Sequence, residues 1–134
     1  MRDSELLEAA LQARNHAHAP YSNFAVGAAL LTDTGKIFTG CNVENISLGL
    51  TICAERTAVA GAIAAGEKGF VAIAVVVDSD EPALPCGACR QVLAEFNPAI
   101  KIMASTLSRR SQEYILTDLL PRPRQGVMEG LGDV

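Results

Sequence analysis

Apolar positions first become periodic over residues 4–17, where Leu6, Leu7, Ala10 and Leu11 recur at helical spacing, Arg14 continues the stripe, and Pro20 lies beyond it. That pattern predicts a helix. Residues 25–32 (AVGAALLT) form a run of small apolar residues. Asp33-Thr34-Gly35-Lys36 has turn chemistry, so residues 37–41 are expected to return as the second strand of a hairpin. Residues 42–50 lose the pattern and read as a loop leaving a strand end. A second, Ala-rich helix is expected over 53–65, stopped by Gly66 as its C′ residue. The continuous β-branched run 70–77 suits a strand covered on both faces. A loop with two prolines follows, then a third helix over 87–96 halted by Asn97-Pro98. Residues 101–105 and 112–115 read as short strands and 117–120 as a last turn. The tail from Pro121 is rich in Pro, Gly and Arg and is expected to be loose.

Strands alternating with helices argue an α/β fold, a single mixed β-sheet with helices packed on its faces. The 134 residues fit one domain, 1–134, with 121–134 as its tail. A chain of this length buries about 68% of its unfolded surface, enough for a core. Net charge is −4, from 11 basic and 15 acidic residues. That argues against a general nucleic-acid surface, which would be basic, and leaves a small nucleoside open. The longest apolar run, 70–77, is far too short for a bilayer. The chain begins Met-Arg-Asp-Ser-Glu without an apolar signal region, so a cytoplasmic location is expected. Thiols stay reduced there, and the four cysteines then read as metal or catalytic groups before disulfides.

Three of them are spaced for chemistry. Cys53-Ala54-Glu55 opens the second expected helix and Pro85-Cys86-Gly87-Ala88-Cys89 the third. In α/β sheets ligands sit at strand ends, where both motifs fall. A catalytic zinc keeps three protein ligands and one open position, with a base nearby that does not bind the metal. The pattern ligand-x-Glu followed by Pro-Cys-x-x-Cys is already known from zinc nucleobase deaminases. Helix N-termini favour thiolate over thiol. Zinc at +2 with three thiolates carries a formal charge of −1, which weakens it as a Lewis acid unless charge is offset. Either Arg56 or Arg90 could hydrogen-bond a thiolate and provide that offset. Glu55, two residues from Cys53, is the candidate acid/base. Cys41 could complete a structural four-cysteine site, but its place at a strand end reads better as a buried thiol. His16 and His18 read as ordinary residues at the end of the first helix.

The sequence resembles the cytidine deaminase family, of the small type with three cysteine ligands. The resemblance runs through Ala19-Pro20-Tyr21-Ser22-Asn23-Phe24, Gly27, Gly40-Cys41-Asn42-Val43-Glu44-Asn45, Cys53-Ala54-Glu55-Arg56-Thr57-Ala58, Pro85-Cys86-Gly87-Ala88-Cys89-Arg90-Gln91 and Leu119-Leu120-Pro121, nearly the whole chain. It implies an α/β/α sandwich and one zinc per subunit held by Cys53, Cys86 and Cys89, with Glu55 shuttling protons. Asn42 and Glu44 would hydrogen-bond the ribose hydroxyls, Phe24 would stack on the pyrimidine, and the Ala54 backbone would read its polar edge. The implied reaction is hydrolytic deamination of cytidine and 2′-deoxycytidine in pyrimidine salvage, by a homotetramer whose sites lie at subunit interfaces. Two positions depart from the pattern: Leu48 where many members have Tyr, and Arg124 where many have Phe. Both usual residues help enclose the nucleoside. The alternatives are a deaminase of a modified cytosine nucleoside such as blasticidin S, and, from another class, a non-catalytic zinc-stabilised binding module. The intact Asn-x-Glu-Asn segment weighs against the first; the presence of Glu55 and the lack of a clear fourth ligand weigh against the second.

Overall fold

A computed structural model describes residues 2–124. Helix α1 (Arg2–Arg14) leads into the hairpin β1 (Val26–Thr32) and β2 (Ile37–Cys41). A 3₁₀ turn (Leu48–Leu50) precedes α2 (Ala54–Ala64), followed by β3 (Phe70–Val77), α3 (Gly87–Phe96), β4 (Lys101–Thr106), β5 (Ser111–Ile115) and the single turn α4 (Leu116–Leu119). The five strands form one sheet in the order β2-β1-β3-β4-β5. Only β3 and β4 pair in parallel; the other neighbours are antiparallel, so the sheet is mixed as expected.

Each face of the sheet is covered differently. On one side Leu6 and Ala10 of α1 pack on Ala29, Ala72, Ala74, Val76 and Met103. On the other, Ala58, Val59 and Ala62 of α2 and Leu93 and Ala94 of α3 pack on Leu30, Ile73 and Ile102. Alternate residues of a strand face opposite sides, which is why neighbours such as Ile73 and Ala74 join different clusters. The expectation that 70–77 is covered on both faces holds except at Val71, which is 46% exposed. The pairing shifts from Leu31↔Ala72 to Thr32↔Phe70, leaving Val71 outside the register. Phe70 thereby rejoins the Ile73 side, where its ring lies 4.9 Å from that of Phe96.

Gly66 ends α2 as expected, with φ of 92°. The Glu67 N–H reaches Ala62 O at 3.0 Å and the Gly66 N–H reaches Ile63 O at 3.0 Å, the paired bonds of a Schellman motif. The first helix differs from its expected span. It stops at Arg14, and His18 lies beyond it in an isolated parallel bridge with Val43. The His18 N–H donates to Asn42 O at 2.9 Å and the Glu44 N–H to His18 O at 2.8 Å. His18 is therefore not at the end of the helix as expected; its backbone pins the 42–44 segment. That segment, expected as loop, is extended, and Val43 also pairs with Ile52. Pro121–Arg124, the start of the tail expected to be loose, lie against α3, where Gln91 Nε2 donates to Pro123 O and Arg124 Nη2 to Glu95 O, both at 3.2 Å. The rest of that tail lies outside the described residues.

Two close approaches bring the helices onto the hairpin. A Cβ on Gly27 would sit 2.0 Å from Ala10 O, so α1 rests directly on β1. A Cβ on Gly40 would sit 2.3 Å from Ala54 O and from Thr57 Oγ1, and 2.5 Å from Ala58 N. The first turn of α2 thus lies on bare β2 backbone. Gly40→Ala must push that turn, and Cys53 with it, off the sheet. The expected cost is about 1–3 kcal/mol, with zinc content below one per chain, read by urea unfolding and metal analysis. Wild-type stability together with full zinc would refute this packing argument.

Candidate metal centre and active site

Two helix starts meet at one end of the sheet. Cys53 is the N-cap of α2 and Cys86 the N-cap of α3, both in extended backbone. Cys89 lies in the first turn of α3 and is fully buried. The Sγ atoms of Cys53 and Cys86 are 3.9 Å apart, those of Cys86 and Cys89 3.5 Å, and all three lie within 4.8 Å of one another. Tetrahedral zinc with Zn–S bonds of about 2.3 Å needs sulfurs about 3.8 Å apart. The donor set therefore fits zinc in both identity and spacing. Cys41 is outside the trio and half-buried, its carbonyl 2.9 Å from Thr57 Oγ1. Thr57 Oγ1 also lies 2.8 Å from Ala54 O, so it fastens the α2 start to the end of β2.

The three thiols cannot ionise independently. The thiol of Cys89 donates toward Cys53, which, with the Arg56 guanidinium, outweighs burial and holds Cys53 at about 5. The same sharing, with burial and the nearby Glu55, pushes Cys89 well above the usual thiol range. Without a metal, the Cys53 thiolate is thus held by Cys89, Arg56 and Cys86 together; a divalent cation would replace the shared thiol protons. Arg56 Nη2 donates to Cys53 Sγ at 3.4 Å, and this thiolate holds the guanidinium firmly protonated. Arg56 Nε is buried without a hydrogen-bond partner. Of the two arginines that sequence spacing left open, only Arg56 reaches a thiolate. Arg90 instead donates to Pro85 O at 2.8 Å and to Leu119 O at 3.2 Å, bracing the loop ahead of Cys86 against α4.

Beside the sulfurs lies a cavity of about 200 Å³, lined by Phe24, Asn42, Cys53, Ala54, Glu55 and Cys86 among others. Val75 and Val77 supply its floor, and Thr51, Ala83 and Leu84 part of its wall. None of these five is singled out by its sequence context; only folding gathers them. Glu55 is 5% exposed, and burial raises its carboxyl to about 6, the Cys53 thiolate adding to the shift. Such a carboxyl can exchange protons near neutral pH. Ala54 is fully buried and Phe24 is 38% exposed.

Asn42 and Glu44 both reach back onto the 21–26 segment. Asn42 Nδ2 donates to Phe24 O at 2.8 Å and its Oδ1 accepts from Val26 N at 2.9 Å. A carbonyl on one side and an N–H on the other fix the amide's orientation. Glu44 accepts from the N–H groups of Tyr21 and Ser22 at 3.0 and 3.1 Å and from the Ser22 hydroxyl. These donors, Ser22 Oγ foremost, hold its carboxyl below the usual range. Glu44 is not among the residues that line the cavity, although Asn42 is. Leu48 and Arg124, the departures noted in the sequence, lie respectively in the exposed 3₁₀ turn and against α3.

A mixed α/β sheet with three cysteines and a buried carboxylate at one end defines a zinc-dependent deaminase-type hydrolase. Residues 1–105 match the family described as the cytidine and deoxycytidylate deaminase zinc-binding region. A cytidine deaminase of Halalkalibacterium halodurans is 51% identical over 117 residues, 87% of this chain and 89% of that protein. One from Mycobacterium tuberculosis is 45% identical over 121 residues, covering 87% and 91%. The crystal structure of cytidine deaminase from Burkholderia pseudomallei superposes with a TM-score of 0.87 at 51% identity, covering 90% of this chain and 98% of that one. The chain belongs to the cytidine deaminase family. Zinc is its cofactor, one ion per subunit on Cys53, Cys86 and Cys89. Among the described residues no helix is long and apolar enough to cross a membrane.

Two substitutions test this centre. Cys86→Ala removes one of the three ligands and is expected to abolish stoichiometric zinc and lower the melting temperature; normal zinc content would bring Cys41 or a histidine back into consideration. Arg56→Leu keeps all three ligands but strips Cys53 of its donor. Its zinc affinity or activity is expected to fall about 10–100-fold, with affinity measured by competition against a chromophoric chelator. Unchanged values would mean that the Arg56–Cys53 contact does not tune the metal.

Proposed function

We propose that this protein hydrolyses cytidine and 2′-deoxycytidine to uridine and 2′-deoxyuridine, releasing ammonia, in pyrimidine salvage in the cytoplasm. The observation that carries this reading is the buried Glu55 carboxyl in a cavity shared with Cys53 and Cys86. The relatives are named cytidine deaminases, which points to the same substrate class.

Bound zinc would supply Lewis-acid activation of a water. The rest falls to the chain's own groups. Glu55 takes a proton from the attacking water and delivers it to ring N3, which makes C4 more electrophilic. It then passes the second proton to the departing C4 amine. One water enters, ammonia leaves, and a carbonyl remains at C4. Burial suits Glu55 to both directions of transfer, because its carboxyl sits close to neutrality. Phe24 offers a ring face to the pyrimidine at the cavity's edge, and the backbone of Ala54 its polar groups. Asn42 and Glu44 receive the sugar hydroxyls. The apolar floor of Val75 and Val77 excludes water from the base.

The cavity is open to one side, and the segment leading to Thr51 exposes Ile46, Leu48 and Leu50 at 80%, 71% and 65%. Contiguous exposed apolar side chains mark an interaction surface. They support a homotetramer whose neighbouring subunits close the site. Sedimentation of the zinc-loaded protein is expected to give a tetramer; a monomer at micromolar concentration would rule the shared site out.

Ammonia release from zinc-loaded protein with cytidine tests the reaction. Glu55→Ala is expected to retain zinc and lose about 10²–10⁴-fold or more in turnover. Unaltered turnover in the variant would remove Glu55 from the mechanism. No release by the wild type would redirect the search to modified cytosine nucleosides.

A further inference from the structure

Ser22 stands between the two residues assigned to the two halves of the substrate. Its hydroxyl donates to Glu44 Oε2, and its oxygen accepts from the Phe24 backbone N–H at 3.0 Å. A serine hydroxyl has one proton and two lone pairs, so both bonds can be made at once. Asn23 takes a left-handed backbone at φ 58°, which folds the chain back so that residues 22 and 24 meet. The main-chain N–H groups of Tyr21 and Ser22 hold the other carboxylate oxygen, Oε1. A carboxylate offers about four acceptor positions. Three are taken by this turn, which leaves one for an incoming hydroxyl.

The backbone of Glu44 is fixed separately, through His18 O and the bridges of Val43. What remains free is the orientation of the side chain. It lies in an exposed part of the protein, where water competes with each bond and the contribution to folding is small. The contribution changes when a nucleoside covers the carboxylate. Water is then displaced, and a missing donor is felt in full.

We propose that Ser22 is a positioning residue for the sugar: its hydroxyl holds the Glu44 carboxylate in the rotamer that presents its remaining acceptor to a sugar hydroxyl, and ties that carboxylate to the backbone of Phe24. This rests on the sugar-binding reading of Glu44 and the base-stacking reading of Phe24. The main-chain donors at Tyr21 and Ser22 do not depend on side-chain identity, so the serine hydroxyl is the part a substitution can remove.

The test is steady-state kinetics of zinc-loaded wild type, Ser22→Ala, Ser22→Cys, Ser22→Thr and Glu44→Gln. The substrates are cytidine and 2′,3′-dideoxycytidine, which lacks both hydroxyls of the sugar ring. Zinc content of one per chain certifies folding of each variant. Ser22→Ala is expected to raise KM for cytidine about tenfold with kcat changed less than about twofold, the pattern of lost ground-state binding. For 2′,3′-dideoxycytidine the KM rise should stay under about threefold, since only the link to Phe24 is lost. Ser22→Cys, which keeps the size and weakens the donor, should follow Ser22→Ala. Ser22→Thr, which keeps the hydroxyl, should restore most of the affinity. An equal rise on both substrates, or no rise on cytidine, overturns the proposal. If Glu44→Gln also fails to distinguish the substrates, the sugar-binding reading of Glu44 falls as well. Absence of any turnover in the wild type overturns both.

Discussion

Three thiolates must be held at the corners of one small tetrahedron, and everything near the site answers to that demand. Like charges a few ångströms apart repel, so the cluster is stable only with a proton or a cation between its members. Two helix starts face it, each contributing free N–H groups and partial positive charge. The Cys89 N–H lies 3.5 Å from Cys86 Sγ, an amide of this kind turned onto a ligand. Metal sites tolerate only small errors in ligand position, so the supports must be stiff. They are: α2 lies on bare backbone at Gly40, and α3 packs Leu93 and Ala94 into the core above Ile73 and Ile102.

Charge is then distributed rather than cancelled at one point. Three thiolates over-neutralise zinc, and a metal so loaded activates water weakly. Arg56 withdraws part of that charge through Cys53. Glu55, whose carboxyl is raised to about 6 chiefly by burial, is the group that gains from a water-excluding cavity. The same low-dielectric setting that raises its proton affinity also strengthens every contact it makes to a reacting atom. Metal and base are thus served by one helix turn, Cys53 to Arg56.

The opposite wall is built by a different logic. Residues 21–26 have little regular structure, yet Asn42 and Glu44 hold their backbone by side-chain hydrogen bonds. These two residues are themselves held by the bridges to His18 and Ile52. The proposed nucleoside-binding wall is therefore laced by side chains, while the metal wall is built on helix ends. A wall of this kind can adjust to a ligand at smaller cost than a helix start can.

Much of this was legible before folding. The helices over 53–65 and 87–96 and the strand over 70–77 appear nearly as read, because helix stops such as Gly66 and Asn97-Pro98 and a long β-branched run act locally. The zinc trio was legible because Cys86 and Cys89 are close in the chain and Cys53 carries Glu55 beside it. Other features depend on which distant groups meet. Arg56 and Arg90 each follow a motif residue, and only the packing of α3 against α4 sends Arg90 to Pro85 O and Leu119 O while Arg56 meets Cys53. His18 looked like a helix end until the chain left α1 at Arg14 to pair with Val43. Val75, Val77 and Leu84 became cavity walls only when the sheet brought them beside Phe24. Periodicity, turn chemistry and chelate spacing are short-range, so the sequence by itself determined the elements, the metal and the candidate base. The partners of each charged group, the shape of the cavity and the bracing of its walls are long-range contacts, and only the tertiary structure decided them.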